Sequence, residues 1–357
     1  MRQKSSSRYQ SWLKVIILCG VLLGLSGCAT LSWYGQAASG QLDILSKRED
    51  IAQLLADPAT DPVLAERLAL ALDIRAFAVS ELGLPDSRSY TRYADLGRAA
   101  AVWNVVATPR FDLTPKTWCY PLVGCLAYRG FFHRERADAV AAELLAQGLD
   151  AAVFPVPAYS TLGWFADPVL NTMLGRGEAW LAGMIFHELA HEKMFVRGDT
   201  AFSEGYAVTV ERVGVERWLT GHGDVAALAD WQRAEALQAD FTAELMAVRD
   251  QLRSIYGSDL PEPELEAARA AAFEELRVRV SALDERAGDE RFSRWAAREI
   301  NNAHLALVAT YESAVAGFMR LLAACEGQLA CFHERAAELG RADSATRQRI
   351  LSDTDGS

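Results

Sequence analysis

"GMIFHELAHEKMF", residues 183–195, sets His187 and His191 four positions apart, with Glu188 directly after the first histidine, in an otherwise mostly apolar stretch. A helix projects residues four apart from one face on successive turns, so both imidazoles can share one ion. Glu188 leaves the helix at an adjacent angle, from which it can reach a water without occupying a coordination position. This is the logic of the HExxH zinc hydrolases, in which zinc lowers the pKa of water and the glutamate accepts its proton as the water attacks a carbonyl. The plainer alternative is a buried helix whose histidines are satisfied by core hydrogen bonds. Glu192 also stands where stricter versions of the pattern carry an uncharged residue.

Two histidines do not complete a catalytic zinc site, which needs a third protein ligand and one open position. A metzincin would place glycine three and histidine six residues after the second histidine, but Met194 and Arg197 hold those places. A gluzincin takes a glutamate from a following helix. "GDTAFSEGYAVTVERVG" offers Glu204, just after a "GD" turn with candidate N-caps at Asp199 and Ser203. The intervening residues suffice for the first helix to end, turn and give way to an antiparallel one. Glu211, two turns further along the same face, is the competing carboxylate; Glu204 is favoured as ligand and Glu211 as its outer hydrogen-bond partner.

The N-terminus reads as an address. Arg2, Lys4, Arg8 and Lys14 precede "VIILCGVLLGL", an apolar run too short to span a bilayer comfortably, and "LSGC" ending at Cys28 resembles a bacterial lipobox. The expected organisation is a lipoprotein signal peptide over 1–27, N-terminal helices and the catalytic core over 28–222, a helical region over 223–350 packing on that core, and a frayed tail over 351–357. A lipidated Cys28 would anchor the chain to a membrane facing an oxidising periplasm. Ala29 after the cysteine points to the outer membrane by resemblance to sorted lipoproteins. In that compartment Cys119, Cys125, Cys325 and Cys331, in two pairs of identical spacing, are expected as disulfides, although four cysteines permit three connectivities. The net charge of -11 over 357 residues argues against a nucleic-acid partner, which would need a basic face.

Long alanine-rich, charged helices dominate after residue 222, whereas "AAVFPVPAYSTLGWF" is dense in β-branched and aromatic residues. Its prolines, Pro155 and Pro157, confine it to a sheet edge. The expected fold is therefore mostly α with a small β element (α+β), in the form of a zincin-like metallopeptidase core with a helical C-terminal region. Residues 153–159 are the candidate edge strand for an extended peptide. Tyr159 at its end, Tyr206 beside Glu204, and His304 and Tyr311 in "REINNAHLALVATYE" are candidate contacts to substrate or to the oxyanion. His222 and His333 read as loop or surface histidines.

The match extends beyond the pentapeptide. "DIRAFAVSELGLPDSRSYTRYADLGR", "WCYPLVGCLAYRGFF", "GLDAAVFPVPAYSTLGWFADPV", "FHELAHEKMF" and "FSEGYAVTVERVGVERWL" together resemble the predicted aminopeptidase family of bacterial lipoproteins. The resemblance implies a zinc-dependent peptidase binding one Zn2+ through His187, His191 and Glu204, with Glu188 as base and a peptide as substrate. Ser203 stands where that pattern would carry asparagine. An endopeptidase, another metal-dependent amidase and a non-catalytic helical scaffold remain as alternatives.

Overall fold

In "VWNVVATP" the apolar residues outnumber what one sheet face requires, as expected for a strand covered on both sides. The computed structural model, which describes residues 33–120, 124–161, 163–306, 308 and 314–352, makes Val102–Pro109 the centre of a three-stranded antiparallel sheet, flanked by Arg129–Phe131 and Leu149–Val156. Val105, Val106 and Ala107 are fully buried within it. The helix Arg134–Ala146 packs on one part of this sheet. A second small sheet joins Arg48–Asp50, Arg92–Ala94 and Val169–Leu170, and the hairpin Trp118–Tyr120 with Gly124–Leu126 sets Cys119 directly opposite Cys125.

The proline-containing segment is an edge strand, but it spans Leu149–Val156 and ends before Tyr159. Pro157 has no N–H with which to extend a ladder, so the chain leaves the sheet there. Part of the outer edge is already occupied, since Asn301 donates from its side-chain amide to the Ala151 carbonyl at 3.0 Å.

Helices make up the rest. Residues 33–46 are helical and belong to a unit of their own; the described residues from Lys47 onward form the other unit. Within it, Glu178–Lys193 and Thr200–Gly221 are packed closely together. The first buries Leu181, Ile185, Phe186 and Leu189. It ends where Met194 turns extended, and the second begins at Asp199, whose carboxylate caps the Phe202 N–H at 3.0 Å. Ser203 closes this turn by donating to the Asp199 carbonyl and accepting from the Val196 N–H.

The long helices Val225–Tyr256 and Glu262–Ser281 form an antiparallel pair around Leu245, Val248, Leu252, Phe273, Leu276 and Val280. A buried ion pair ties this pair to the sheet. Arg269 donates to Asp150 at 2.6 Å, and Asp150 also accepts the Asn302 N–H at 3.0 Å. The helices Val315–Ala324 and Leu329–Arg341 follow, with a disulfide between Cys325 and Cys331 across their turn. The other disulfide joins Cys119 and Cys125. No helix among the described residues is long and apolar enough to cross a membrane. The signal segment, Cys28, Tyr311 and the last residues of the tail lie outside the described residues.

Candidate metal centre

The antiparallel helices carrying the two histidines and Glu204 bring them to one point. His187 and His191 face each other through their Nε2 atoms at 3.1 Å. Glu204 Oε2 lies 3.3 Å from the first and 3.6 Å from the second. One potential ligand atom from each of the three residues falls within 4.8 Å of the others. The donor chemistry suits a cation. Glu211 Oε2 is 2.9 Å from His187 Nδ1, which keeps a proton on that nitrogen and reserves Nε2 for a cation, toward which it would direct a lone pair once its own proton is displaced.

The electrostatics agree with the geometry. Burial opposes ionisation of Glu204, but hydrogen bonds from both histidines outweigh it and hold the carboxyl at about 2. Burial likewise opposes protonation of His187, yet Glu204 and Glu211 together raise it well above the ordinary imidazole range. In the metal-free chain the carboxylates thus keep on the ring a positive charge that a bound cation would replace. Glu188 directly follows His187 on the same helix, and its side chain makes no hydrogen bond to any described residue. Its pKa is raised, chiefly by burial, with the neighbouring carboxylates adding to the effect and the two histidines opposing it.

Close packing allows this approach of the helices. A Cβ on Gly183 would meet Glu211 Oε1 at 3.1 Å, and one on Gly214 would meet Phe186 at 2.6 Å. Next to the ligand glutamate, a Cβ on Gly205 would meet Ala314 Cβ at 2.6 Å.

The remaining candidates divide. Tyr159 packs edge-on against Phe132 and lies near Asp167, with its pKa raised by burial and then by that carboxylate. Tyr206 is engaged in the core: its buried hydroxyl is 2.8 Å from His333 Nδ1. His333 is correspondingly a core residue and not a surface one, since its Nε2 donates to the Leu82 carbonyl at 2.8 Å. His304 accepts the Asn301 N–H at Nδ1 and packs against Phe154, so its ring serves the junction between helix and sheet.

Four residues that spacing did not reveal border the centre. Tyr128, in the turn before Arg129–Phe131, packs on Val106, Ala152, Ala303 and Ala306. Its pKa is pushed up to about 12 by burial and then by the charges of Glu204 and Glu188. Asp167 is pushed up to about 6 by burial, against hydrogen bonds from Thr161, with Glu192 and Glu188 adding to the rise. Tyr90 is buried, donates its N–H to the Asp167 carbonyl at 2.7 Å and has a left-handed backbone at φ 62°; its pKa is raised by burial and then by the charges of Glu188, Asp167 and Glu192. Glu192, one turn beyond Glu188, has a buried Oε1 with no hydrogen-bond partner. Only Glu192 carried a local signal, as the unexpected charge in the motif.

Taken alone, these features define a mostly helical protein with small sheets and a His-His-Glu group able to hold a metal ion. A family model described as "Putative aminopeptidase" matches residues 32–351, and the chain belongs to that family. Comparison with curated proteins and with solved structures found no match.

Proposed function

We propose that this chain is a zinc-dependent aminopeptidase with a zincin-like core, lipid-anchored through Cys28 on the periplasmic face of the outer membrane. The observation that carries the reading is the convergence of His187, His191 and Glu204 on one point, with Glu188 beside them and unpartnered. A purely structural metal site has no use for that fourth group. Zinc, when bound there, supplies a Lewis acid that polarises a carbonyl and lowers the pKa of water.

The chain's own residues supply the rest. His187, His191 and Glu204 hold the ion, and Glu211 fixes the ring of His187. Glu188, with its raised pKa, accepts the proton of the attacking water and returns it to the leaving amine. Tyr128 offers a hydroxyl toward the negative charge that develops on the carbonyl oxygen. Glu192 and Asp167 support the choice of a free N-terminus. A buried, unpartnered carboxylate oxygen beside the base suits an ammonium group, which would satisfy it. The edge strand Leu149–Val156 is the element along which an extended peptide would lie. The address rests on the sequence alone, on the basic segment, the short apolar run and "LSGC".

The test is made on residues 29–357. Zinc content is measured, and wild type is compared with Glu188→Gln on matched peptides with free and acetylated N-termini. The expected result is stoichiometric zinc in both proteins, hydrolysis by wild type alone, and cleavage confined to free N-termini. Stoichiometric zinc with no hydrolysis by either protein would remove the peptidase reading, and equal cleavage of acetylated peptides would replace aminopeptidase with endopeptidase. Labelling of Cys28 with a radioactive fatty acid in a bacterial host, lost in Cys28→Ala, tests the anchor.

A further inference from the structure

A cavity of about 720 Å³ opens between the helix Val225–Tyr256 and the loop that follows the central strand, a volume typical of ligand sites. Phe111 and Tyr256 form its aromatic wall, their rings 5.7 Å apart and edge to face. Arg249 and Arg253, one helical turn apart, both line it. Their charges are unevenly matched. Asp250 accepts from Arg253 at 2.8 Å but lies 4.0 Å from Arg249, and the Arg249 Nε is buried with no acceptor. Among the described residues Asp112 is the one carboxylate in the wall, and its Oδ1 is engaged by the Thr114 N–H at 2.8 Å. The Arg249 guanidinium lines the cavity with no ion pair among the described residues closer than Asp250 at 4.0 Å; such a group is matched by an anion, and a carboxylate fits its planar fork.

The cavity and the metal centre share a helix. Ala201, in the cavity wall, precedes Glu204 by three residues on the same helix, about 4.5 Å along the axis. Ala306, also in the wall, packs in the cluster that holds Tyr128. A few residues of extended peptide, at about 3.3 Å each, are the natural link between the two places.

We propose that this cavity takes the C-terminal carboxylate of a short peptide whose other end lies at the metal centre, with Arg249 as the main donor and Arg253 in support. The inference rests on the peptidase reading above, and it makes the enzyme selective for short peptides with a free carboxyl end.

Two measurements separate the two ideas. Binding of acetyl-Gly-Phe and of its C-terminal amide is measured by calorimetry on the metal-free chain, where no hydrolysis intervenes. Cleavage of Leu-Gly-Phe and of its amide is measured on the zinc-loaded chain. Wild type should bind the acid at least about tenfold more tightly than the amide, as expected for a charge-assisted hydrogen bond, and should show a similar preference in kcat/KM. Both preferences should vanish in Arg249→Gln and survive in part in Arg249→Lys. Arg253→Gln, expected to weaken them partially, gives a second reading if Arg249→Gln does not fold. Equal binding of acid and amide by wild type overturns the inference whether or not peptides are cleaved. Selective binding with cleavage indifferent to the carboxyl end, or with no cleavage at all, overturns the cavity's role as a substrate subsite; only the latter also removes the peptidase reading. If an amidated peptide with an aspartate side chain binds as tightly as the free acid, an acidic side chain replaces the C-terminus as occupant.

Discussion

Glu211 allows the affinity for the metal to be altered without touching a ligand. Glu211→Ala removes the acceptor 2.9 Å from His187 Nδ1, so the ring loses both its fixed orientation and the negative charge behind it. Loss of such an outer partner costs about 10- to 100-fold in metal affinity, ~1.4–2.7 kcal/mol. Glu211→Gln keeps an acceptor without the charge and should fall between. Gly183→Ala reaches the same bond from the other helix, since its Cβ would stand 3.1 Å from Glu211 Oε1 and 3.3 Å from its Cγ. The carboxylate must then shift by a few tenths of an ångström, and a loss under about tenfold is expected. Because both changes act through one hydrogen bond, Gly183→Ala should cost little further affinity in the Glu211→Ala background. Zinc affinity is read by competition against a fluorescent chelator, with circular dichroism to confirm that each variant is folded. Wild-type affinity in Glu211→Ala would refute the reasoning, and full additivity would show that Gly183 acts elsewhere.

Tyr128→Phe should lower kcat by roughly 100-fold or more, as for loss of an oxyanion donor, while KM and zinc affinity change little; a drop in zinc affinity instead would make Tyr128 a structural residue. His333 supplies a pH dependence. Burial, against a hydrogen bond to Leu82, pushes its imidazole down to about 4 from 6.5. Above the unfolded value the ring is neutral in both states and costs nothing. As pH falls from 6.5 to 4 the unfolded chain takes up a proton that the folded chain resists, and up to roughly 3 kcal/mol of stability is lost. His333→Phe should flatten this part of the urea midpoint against pH, leaving the similar contribution of His304, also held at about 4 by burial; an unchanged profile would refute the assignment. Asp150→Ala leaves the buried Arg269 guanidinium with Glu266, 3.3 Å away, as its remaining carboxylate and should destabilise the fold by up to about 3 kcal/mol, measured by urea unfolding, whereas Asp150→Ala with Arg269→Met should recover much of that loss.

What was legible in advance follows from how local each signal is. The helix Glu178–Lys193 and its antiparallel neighbour could be read because periodicity and caps are properties of adjacent residues, and the approach of Glu204 to the histidines follows from a short turn. The edge strand was legible from its prolines, though not its end at Val156. Tyr206 misled because a tyrosine two residues after a proposed ligand suggests the same site, whereas in a helix that interval turns the side chain to another face, here toward His333. Tyr128 and Asp167 carried no signal at all. Each reaches the centre through tertiary packing from a distant turn, and no spacing rule connects "LAYRG" or "ADPV" to a histidine helix.

The same reasoning explains why the helices after residue 222 are more than a scaffold behind the site. The helix that carries Glu204 is held at its start by Arg347, which donates to the capping Asp199 at 2.7 Å. At Gly205 it is pressed directly against Ala314, and at Tyr206 it is bonded to His333. Each contact lies within about one turn of the ligand and comes from the last fifty residues of the chain. A carboxylate that must meet two imidazoles at a common point tolerates little displacement, so the position of Glu204 depends on C-terminal elements that touch neither histidine. A helix pair carrying only the motif and Glu204 would have the ligands without the means of holding them in register, which is why the site is a property of the whole unit and why truncation after residue 222 should abolish metal binding along with activity.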